Sequence, residues 1–182
     1  MKTLRLSAAS IGIAAIFACV QPAFATTQAR ADYTAALKHA SAAYKADRIK
    51  CDTLAGHDKD MCAVEAKAAE KRANASAEAD YRGTVKAKTS RRIANADADL
   101  MVAKVACDTK TGQEKDVCIK QAQATQVKLV ADAKAHKTAV DARADAREDT
   151  RDAQNKVAVA KCDALSGTDK DACNAAVKAQ AK

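Results

Sequence analysis

The stretch CDTLAGHDKDMC, residues 51–62, returns with small changes as CDTKTGQEKDVC at 107–118 and as CDALSGTDKDAC at 162–173. Each copy begins and ends with cysteine, and the copies start 56 and 55 residues apart. A fixed period of this length indicates a structural repeat. The fold is therefore predicted to pass three times through the same local structure.

The pattern of each copy predicts the end of one helix, a glycine turn and the start of the next helix. Gly56 occupies the turn position, where a left-handed backbone stops a helix at low cost. Acidic residues follow the glycine in every copy and suit the positive first turn of a helix. These residues are Gly56, Asp58 and Asp60, then Gly112, Glu114 and Asp116, then Gly167, Asp169 and Asp171, with Thr168 as a candidate N-cap.

Between the turns the chain is rich in alanine and charged residues, a composition that favours long helices. From residue 26 onward it holds 41 alanines and no Trp, Phe or Pro. Helices are predicted over 28–53, 58–109, 114–164 and 169–182, with two weaker stretches at Gly83-Thr84 and at the charged run 144–156. The fold class is all-α: an elongated antiparallel helical bundle or coiled coil of about four helices.

Apolar residues at three-four spacing mark one buried stripe on each of the first three helices. The predicted stripes are Tyr33, Leu37, Ala40, Tyr44 and Cys51 on the first, Cys62, Ala66, Ala69, Ala73, Ile93, Ala96, Leu100, Ala103 and Cys107 on the second, and Cys118, Ala122, Leu129, Ala133 and Val140 on the third. Because alanine dominates them, this core contributes little free energy per residue.

The six cysteines of the repeats are predicted to form disulfides, since an even set in an exported chain reads as a disulfide framework. Zinc is the alternative, but C-x10-C does not match zinc-knuckle spacing and no histidine repeats with the cysteines. In an up-down bundle, Cys107 and Cys118 would lie at the end opposite the other four. Neighbours across each turn are favoured as partners, although exchange among the four cysteines at the shared end stays open. The six cysteines are Cys51, Cys62, Cys107, Cys118, Cys162 and Cys173.

The first 25 residues, MKTLRLSAASIGIAAIFACVQPAFA, resemble a cleavable signal peptide, with two basic residues, a short apolar run and the site Ala-Phe-Ala. Cleavage after Ala25 would leave residues 26–182 as a single helical domain in the periplasm, with no transmembrane segment. The alternative is a lipoprotein acylated at Cys19.

The sequence does not predict an enzyme, a metal or a cofactor. His39, His57 and His136 stand alone, and no nucleophile motif or phosphate loop is present. A calcium site in the turns is the alternative for the acids, but their spacing is not that of an EF-hand. We expect instead that lysines pair with aspartates across the turns: Lys59 with Asp52, Lys115 with Asp108, and Lys170 with Asp163.

Residues 26–182 carry 29 basic against 23 acidic residues. Nucleic acid is not an expected partner, because export and the scarcity of aromatic residues argue against it. Anionic envelope polymers, such as lipopolysaccharide or peptidoglycan, are the candidate ligands of the basic segment KAKTSRR at 86–92. The candidate contact residues are Lys86, Lys88, Arg91 and Arg92; the competing interpretation is a solvated stretch of helix.

The signal peptide, the Ala-Lys-rich helices and the repeated C-D-x-L-x-G-x-x-K-D-x-C resemble a group of small proteobacterial periplasmic proteins labelled cell envelope biogenesis proteins similar to TolA. The resemblance covers residues 26–182 and implies a structural or interaction role in the envelope, with envelope proteins or anionic polymers as partners and self-association open. Lys110 replaces the motif leucine in the second copy. The alternative functions are a periplasmic holdase chaperone and a binder of anionic envelope polymers.

Overall fold

A computed structural model describes residues 22–180, and within them the side chains of residues 27–179. Residues 1–21, which hold most of the predicted signal peptide and Cys19, lie outside the described residues. Five α-helices follow one another: α1 Pro22–Cys51, α2 Gly56–Arg82, α3 Val85–Ala106, α4 Gly112–Asp163 and α5 Gly167–Gln180, with a 3₁₀ turn at Cys107–Thr109. No strand occurs in this described part, and the predicted all-α fold is confirmed.

The predicted second helix is two helices, because the chain reverses at Gly83 and Thr84. Gly83 has φ +63° and donates its N–H to Ala79 O, which ends α2, and the Thr84 side chain accepts from Ala87 N at 3.1 Å, which begins α3. The reversal makes α2 and α3 antiparallel, as the ion pair of Lys71 with Asp97 at 3.2 Å shows. Residues 22–180 therefore form five α-helices where the sequence predicts about four.

This reversal moves the second cysteine turn. The prediction that Cys107 and Cys118 lie at the end opposite the other four cysteines is wrong. Since α2 runs away from the first turn and α3 runs back, the turn at 107–118 lies at the same end as the turn at 51–62. The third turn lies apart from both, at the far end of α4, whose 52 residues span about 78 Å.

The second repeat has no glycine at the position where Gly83 ends a helix in the first repeat. Position 139, which is 56 residues after Gly83, is Ala139, and α4 passes through it without interruption. The helix also continues through the charged run 144–156. Alanine does not favour the left-handed conformation of Gly83, so the same repeat length gives a hairpin in one copy and a straight helix in the other.

Replacement Gly83→Ala is expected to lower the free energy of unfolding by about 1–2 kcal/mol, because a Cβ is strained at φ +63°. The penalty is conformational, since nothing lies within 4 Å of the added Cβ. Guanidinium unfolding followed by circular dichroism measures it. The control Ser90→Ala, at an exposed helical position, should be neutral or slightly stabilising. Equal stability of Gly83→Ala and the original protein would contradict the assignment of a required left-handed residue.

Helices α1 to α4 pack in sequence, each against the one before and the one after it, and α5 packs on α4. Consequently α2 and α3 are buried on two opposite faces. This arrangement is seen in pairs of buried residues that lie two positions apart. Such residues project about 200° apart on a helix, so they face opposite sides. The pairs are Ala66 with Ala68, Ala87 with Thr89, and Ala96 with Ala98.

The sequence analysis predicts one stripe on each helix, and the structure differs on α2. Ala69 and Ala73, assigned to that stripe, are exposed, while Ala68 and Ala79 are fully buried. The stripe predicted for α1 is correct in that Ala40 and Cys51 are buried and its remaining members are half-buried. A single stripe suits an edge helix such as α1, but not a helix packed between two neighbours.

Candidate functional site: the stapled turns and the tyrosine groove

Each repeated turn is closed by a disulfide between its first and last residues. The Cα–Cα distances are 5.4 Å for Cys51–Cys62, 5.8 Å for Cys107–Cys118 and 5.5 Å for Cys162–Cys173. These are the partners favoured by the sequence. The first cysteine of every pair is almost fully buried and the second is partly exposed. The cysteines therefore act as structural cross-links between successive helices.

One backbone hydrogen bond recurs in all three turns. The carbonyl of the first cysteine accepts from the N–H three residues later, at 3.1 Å from Leu54, 3.0 Å from Lys110 and 3.0 Å from Leu165. Because only the main chain takes part, the lysine of the second copy fits where the others have leucine. The Leu54 and Leu165 side chains remain 43% and 45% exposed, so the motif leucine is not a core residue.

The glycine of each turn has the predicted positive φ, but it lies at the start of the following helix instead of directly after the preceding one. Gly56 has φ +57° and is the first residue of α2, five positions after α1 ends. The glycine therefore starts the second helix rather than directly ending the first. Thr168 lies inside α5, which begins at Gly167, so its assignment as an N-cap is wrong.

Three ion pairs span the turns as the sequence predicts. The Nζ–Oδ1 distances are 3.1 Å for Lys59–Asp52, 2.8 Å for Lys115–Asp108 and 3.0 Å for Lys170–Asp163. All six side chains are exposed by 40% or more, so each pair is worth at most about 1 kcal/mol. Asp58, Glu114 and Asp169 lie in the first turns of their helices. The first aspartate and the lysine of each copy thus have a structural partner in each other.

A groove of about 330 Å³ lies between α1 and α2, toward the Gly83 turn. Tyr33 and Tyr81 stack there with ring centroids 4.8 Å apart, and the Tyr33 hydroxyl donates to Glu78 Oε2 at 2.7 Å. Arg82 also binds the Glu78 carboxylate. The groove is lined by Ala29, Asp32, Tyr33, Ala36, Ala77, Asp80 and Tyr81.

The electrostatics of this cluster favour a structural contact. The hydrogen bond from Tyr33, followed by that from Arg82, holds the pKa of Glu78 below its usual value. The same hydrogen bond to Glu78 raises the pKa of the Tyr33 hydroxyl. Tyr33 is therefore a weaker acid than a free tyrosine and Glu78 a weaker base than a free glutamate, and the cluster fixes α1 against α2.

Replacement Tyr33→Phe is expected to raise the pKa of Glu78 toward the ordinary value of about 4.3, because the largest cause of its depression is removed. A depressed carboxyl pKa stabilises the fold above its unfolded value, and this contribution is lost as pH falls through the folded value. The variant should therefore show a smaller acid-dependent loss of stability. NMR titration of the Glu78 carboxyl carbon measures the pKa directly.

The control for this prediction is Tyr44→Phe. Tyr44 lies on the same interface, with Lys67 Nζ 5.0 Å from its ring centroid, but Glu78 receives its tyrosine hydrogen bond from Tyr33. This variant should leave the Glu78 titration unchanged. An unchanged titration in Tyr33→Phe would instead rule out the hydrogen bond as the cause.

The tyrosine contact is missing from the sequence analysis, although a signal for it exists. The disulfide Cys51–Cys62 fixes the register of α1 on α2, so that residues whose numbers sum to about 113 face each other. Tyr33 then falls opposite position 80, one residue from Tyr81. Combining the predicted disulfide with antiparallel pairing would have found this contact.

The predicted basic surface is divided by the helix. Lys88 and Arg92 are four positions apart, share one face of α3 and are exposed. Lys86 projects about 200° from Lys88, and Arg91 lies 3.7 Å from Asp80. Lys88 and Arg92 are thus the two exposed candidates on one face of α3, while Arg91 is half-buried beside Asp80 and Lys86 lies on the opposite face.

Asp97 joins three helices of the array. Lys71 of α2 contacts one carboxylate oxygen, and Gln126 of α4 donates to the other at 2.9 Å. The hydrogen bond from Gln126 is the main reason that the pKa of Asp97 is lowered. This residue fixes the register of α3 against both of its neighbours.

The three histidines of the chain lie on helices. His39 and His136 are exposed and His57 is half-buried. Within residues 22–180, no three His, Cys, Asp or Glu side chains are grouped to hold a metal ion. None of the helices in that range is both long and apolar enough to cross a membrane.

Comparison with known proteins gives no relative: no family, no curated protein sequence and no solved structure matches this chain.

Proposed function

We propose that this chain is a non-enzymatic exported helical protein with a structural or interaction role in the cell envelope, acting in the periplasm. The observation that carries the proposal is the disulfide at each of the three repeated turns. Such bonds persist in oxidising compartments, and the signal-like N-terminal segment is consistent with export. The resemblance to envelope proteins labelled similar to TolA belongs to this proposal.

The packing supports a structural role. The fully buried core residues are alanines and cysteines, which let helices approach closely but bury little apolar area. The polar groups with shifted pKa values, Tyr33, Lys67, Glu78 and Asp97, are all engaged in hydrogen bonds with other side chains. Covalent staples and interhelical polar contacts together suit a helical scaffold.

The compartment is tested by intact-mass spectrometry of the protein isolated from its native envelope, before and after reduction and alkylation. A mass that begins at Thr26 and is six hydrogens lighter than the reduced chain supports the proposal. An acylated Cys19 or six free thiols would contradict it. Deletion in the native host should also increase sensitivity to detergent, and the normal level should return with the intact gene.

Two assays separate the proposal from its alternatives. Suppression of client aggregation at near-equimolar ratio would replace it with a holdase function. Salt-sensitive co-sedimentation with peptidoglycan or lipopolysaccharide would replace it with polymer binding. In the latter case Lys88→Glu with Arg92→Glu should weaken binding more than Lys86→Glu, which changes the opposite face of α3.

A further inference from the structure

Helix α4 carries its neighbours on one side only. Ala133 and Val140 face α3, while Ala158 and Cys162 face α5, and these four positions lie within about 40° of one another around the helix. Both neighbours therefore pack on the same side. Between them, every residue from 142 to 154 is exposed.

The opposite side of α4 carries a continuous stripe of small residues. Its members recur every three or four positions and are all exposed, and Val157 is 56% exposed. They are Ala135, Ala139, Ala142, Ala146, Thr150, Ala153 and Val157. The same kind of surface is fully buried elsewhere in the chain, at Ala68, Ala79 and Ala98.

Between residues 143 and 152 the charges beside the stripe are sorted by sign, while Lys156, further along the helix, lies on the acidic flank. On one flank lie the acidic residues Asp145, Asp149 and Asp152, and on the other lie the basic residues Arg143 and Arg147. Two copies related by a two-fold axis parallel to α4 would place the acidic flank of each against the basic flank of the other. A two-fold antiparallel pair would instead bring like flanks together, which is unfavourable.

We propose that α4 is a self-association helix, and that two copies of this chain pair in parallel along the stripe from Ala135 to Val157. The small side chains allow close approach of the two helices, and the sorted flanks select the parallel orientation. Among the described residues of α4, the stretch 142–154 lies between the part packed on α3 and the part packed on α5 and is fully exposed. The second copy would cover this stretch. The inference goes beyond the envelope role and does not depend on the compartment.

The first test is analytical ultracentrifugation of the oxidised chain 26–182 over micromolar concentrations. The original protein should sediment as a dimer, and Ala146→Glu should raise the dimer dissociation constant at least tenfold. The matched control Ala144→Glu makes the same change two residues away on the other side of α4 and should leave the dimer intact. Circular dichroism should show equal helix content in both variants. A monomer at all concentrations, or equal effects of the two substitutions, would overturn the proposal.

The second test asks whether the charges beside the stripe hold the dimer together. Two variants destroy the sorting in opposite ways. Arg143→Asp with Arg147→Asp makes both flanks acidic, and Asp145→Arg with Asp149→Arg and Asp152→Arg makes both basic. Each variant alone should be monomeric, and a mixture of the two should form heterodimers.

A single Ala139→Cys should also cross-link to itself, since residue 139 meets its own copy only in a parallel pair. Cross-linking of Ala139→Cys to Ala153→Cys instead would show antiparallel pairing and overturn the proposed orientation. A monomeric protein that still begins at Thr26 and keeps its disulfides would leave the envelope role standing while removing this inference.

Discussion

Reduction of the three disulfides is expected to lower the free energy of unfolding by about 9 kcal/mol, which is comparable with the whole stability of an ordinary domain. Each bond joins residues 11 positions apart, and in the chain-entropy treatment a loop of this size is worth about 3 kcal/mol. The alanine interfaces supply little to replace this loss. Guanidinium unfolding followed by circular dichroism, with and without reductant, measures the difference.

Removing single disulfides provides the control, because the three turns have different surroundings. The pair Cys162→Ser with Cys173→Ser should release α5, which packs on α4, while amides of α1 to α3 keep their protection from hydrogen exchange. The pair Cys107→Ser with Cys118→Ser should weaken the packing of α4 on α3 and lower the protection of both. A reduced protein with an unchanged unfolding midpoint would show that the staples do not support the fold.

Replacement Ala68→Leu is expected to lower the free energy of unfolding by about 1–3 kcal/mol, since the larger side chain must enter a filled interface. Ala68 has no exposed surface and lies on the side of α2 that packs against α3. Leucine needs more room than the closely approaching helices leave. Guanidinium unfolding of the oxidised protein measures the effect.

Ala69→Leu is the matched control for this substitution. It makes the same chemical change one residue later in the same helix, with the same helix propensity, but at an exposed position. Its free energy of unfolding should stay within about 0.5 kcal/mol of the original. The single stripe predicted from the sequence gives the opposite order, with Ala69 buried, so the pair of variants distinguishes the two arrangements.

The local structure of the turns was predictable because each turn contains its own information. Twelve residues include both cysteines, the glycine and the lysine and aspartate that pair across the turn. The predicted disulfides and the three predicted ion pairs are all present. The tyrosine contact was also within reach, since the register of α1 on α2 follows from the first disulfide.

The packing of the helices was not predictable in the same way. Alanine occupies both exposed and buried faces of this chain, so its spacing gives little contrast between a single stripe and two opposite ones. Ala69 and Ala73 fit the first pattern, and Ala66 and Ala68 the second. The difference depends on how many neighbours a helix has, which the periodicity of one helix does not record.

By itself the sequence determined that this protein is helical, that its helices are joined by three disulfide-closed turns, and which residues pair within each turn. Those features depend on residues close together in the chain. Only the tertiary structure decided that the chain reverses at Gly83, that the first two cysteine turns lie at one end, and that one side of α4 remains uncovered. The helix propensities of Gly83 and Thr84 do not distinguish a kinked long helix from a hairpin. The packing of α2 on α3 and the ion pair of Lys71 with Asp97 do, because both exist only in the hairpin.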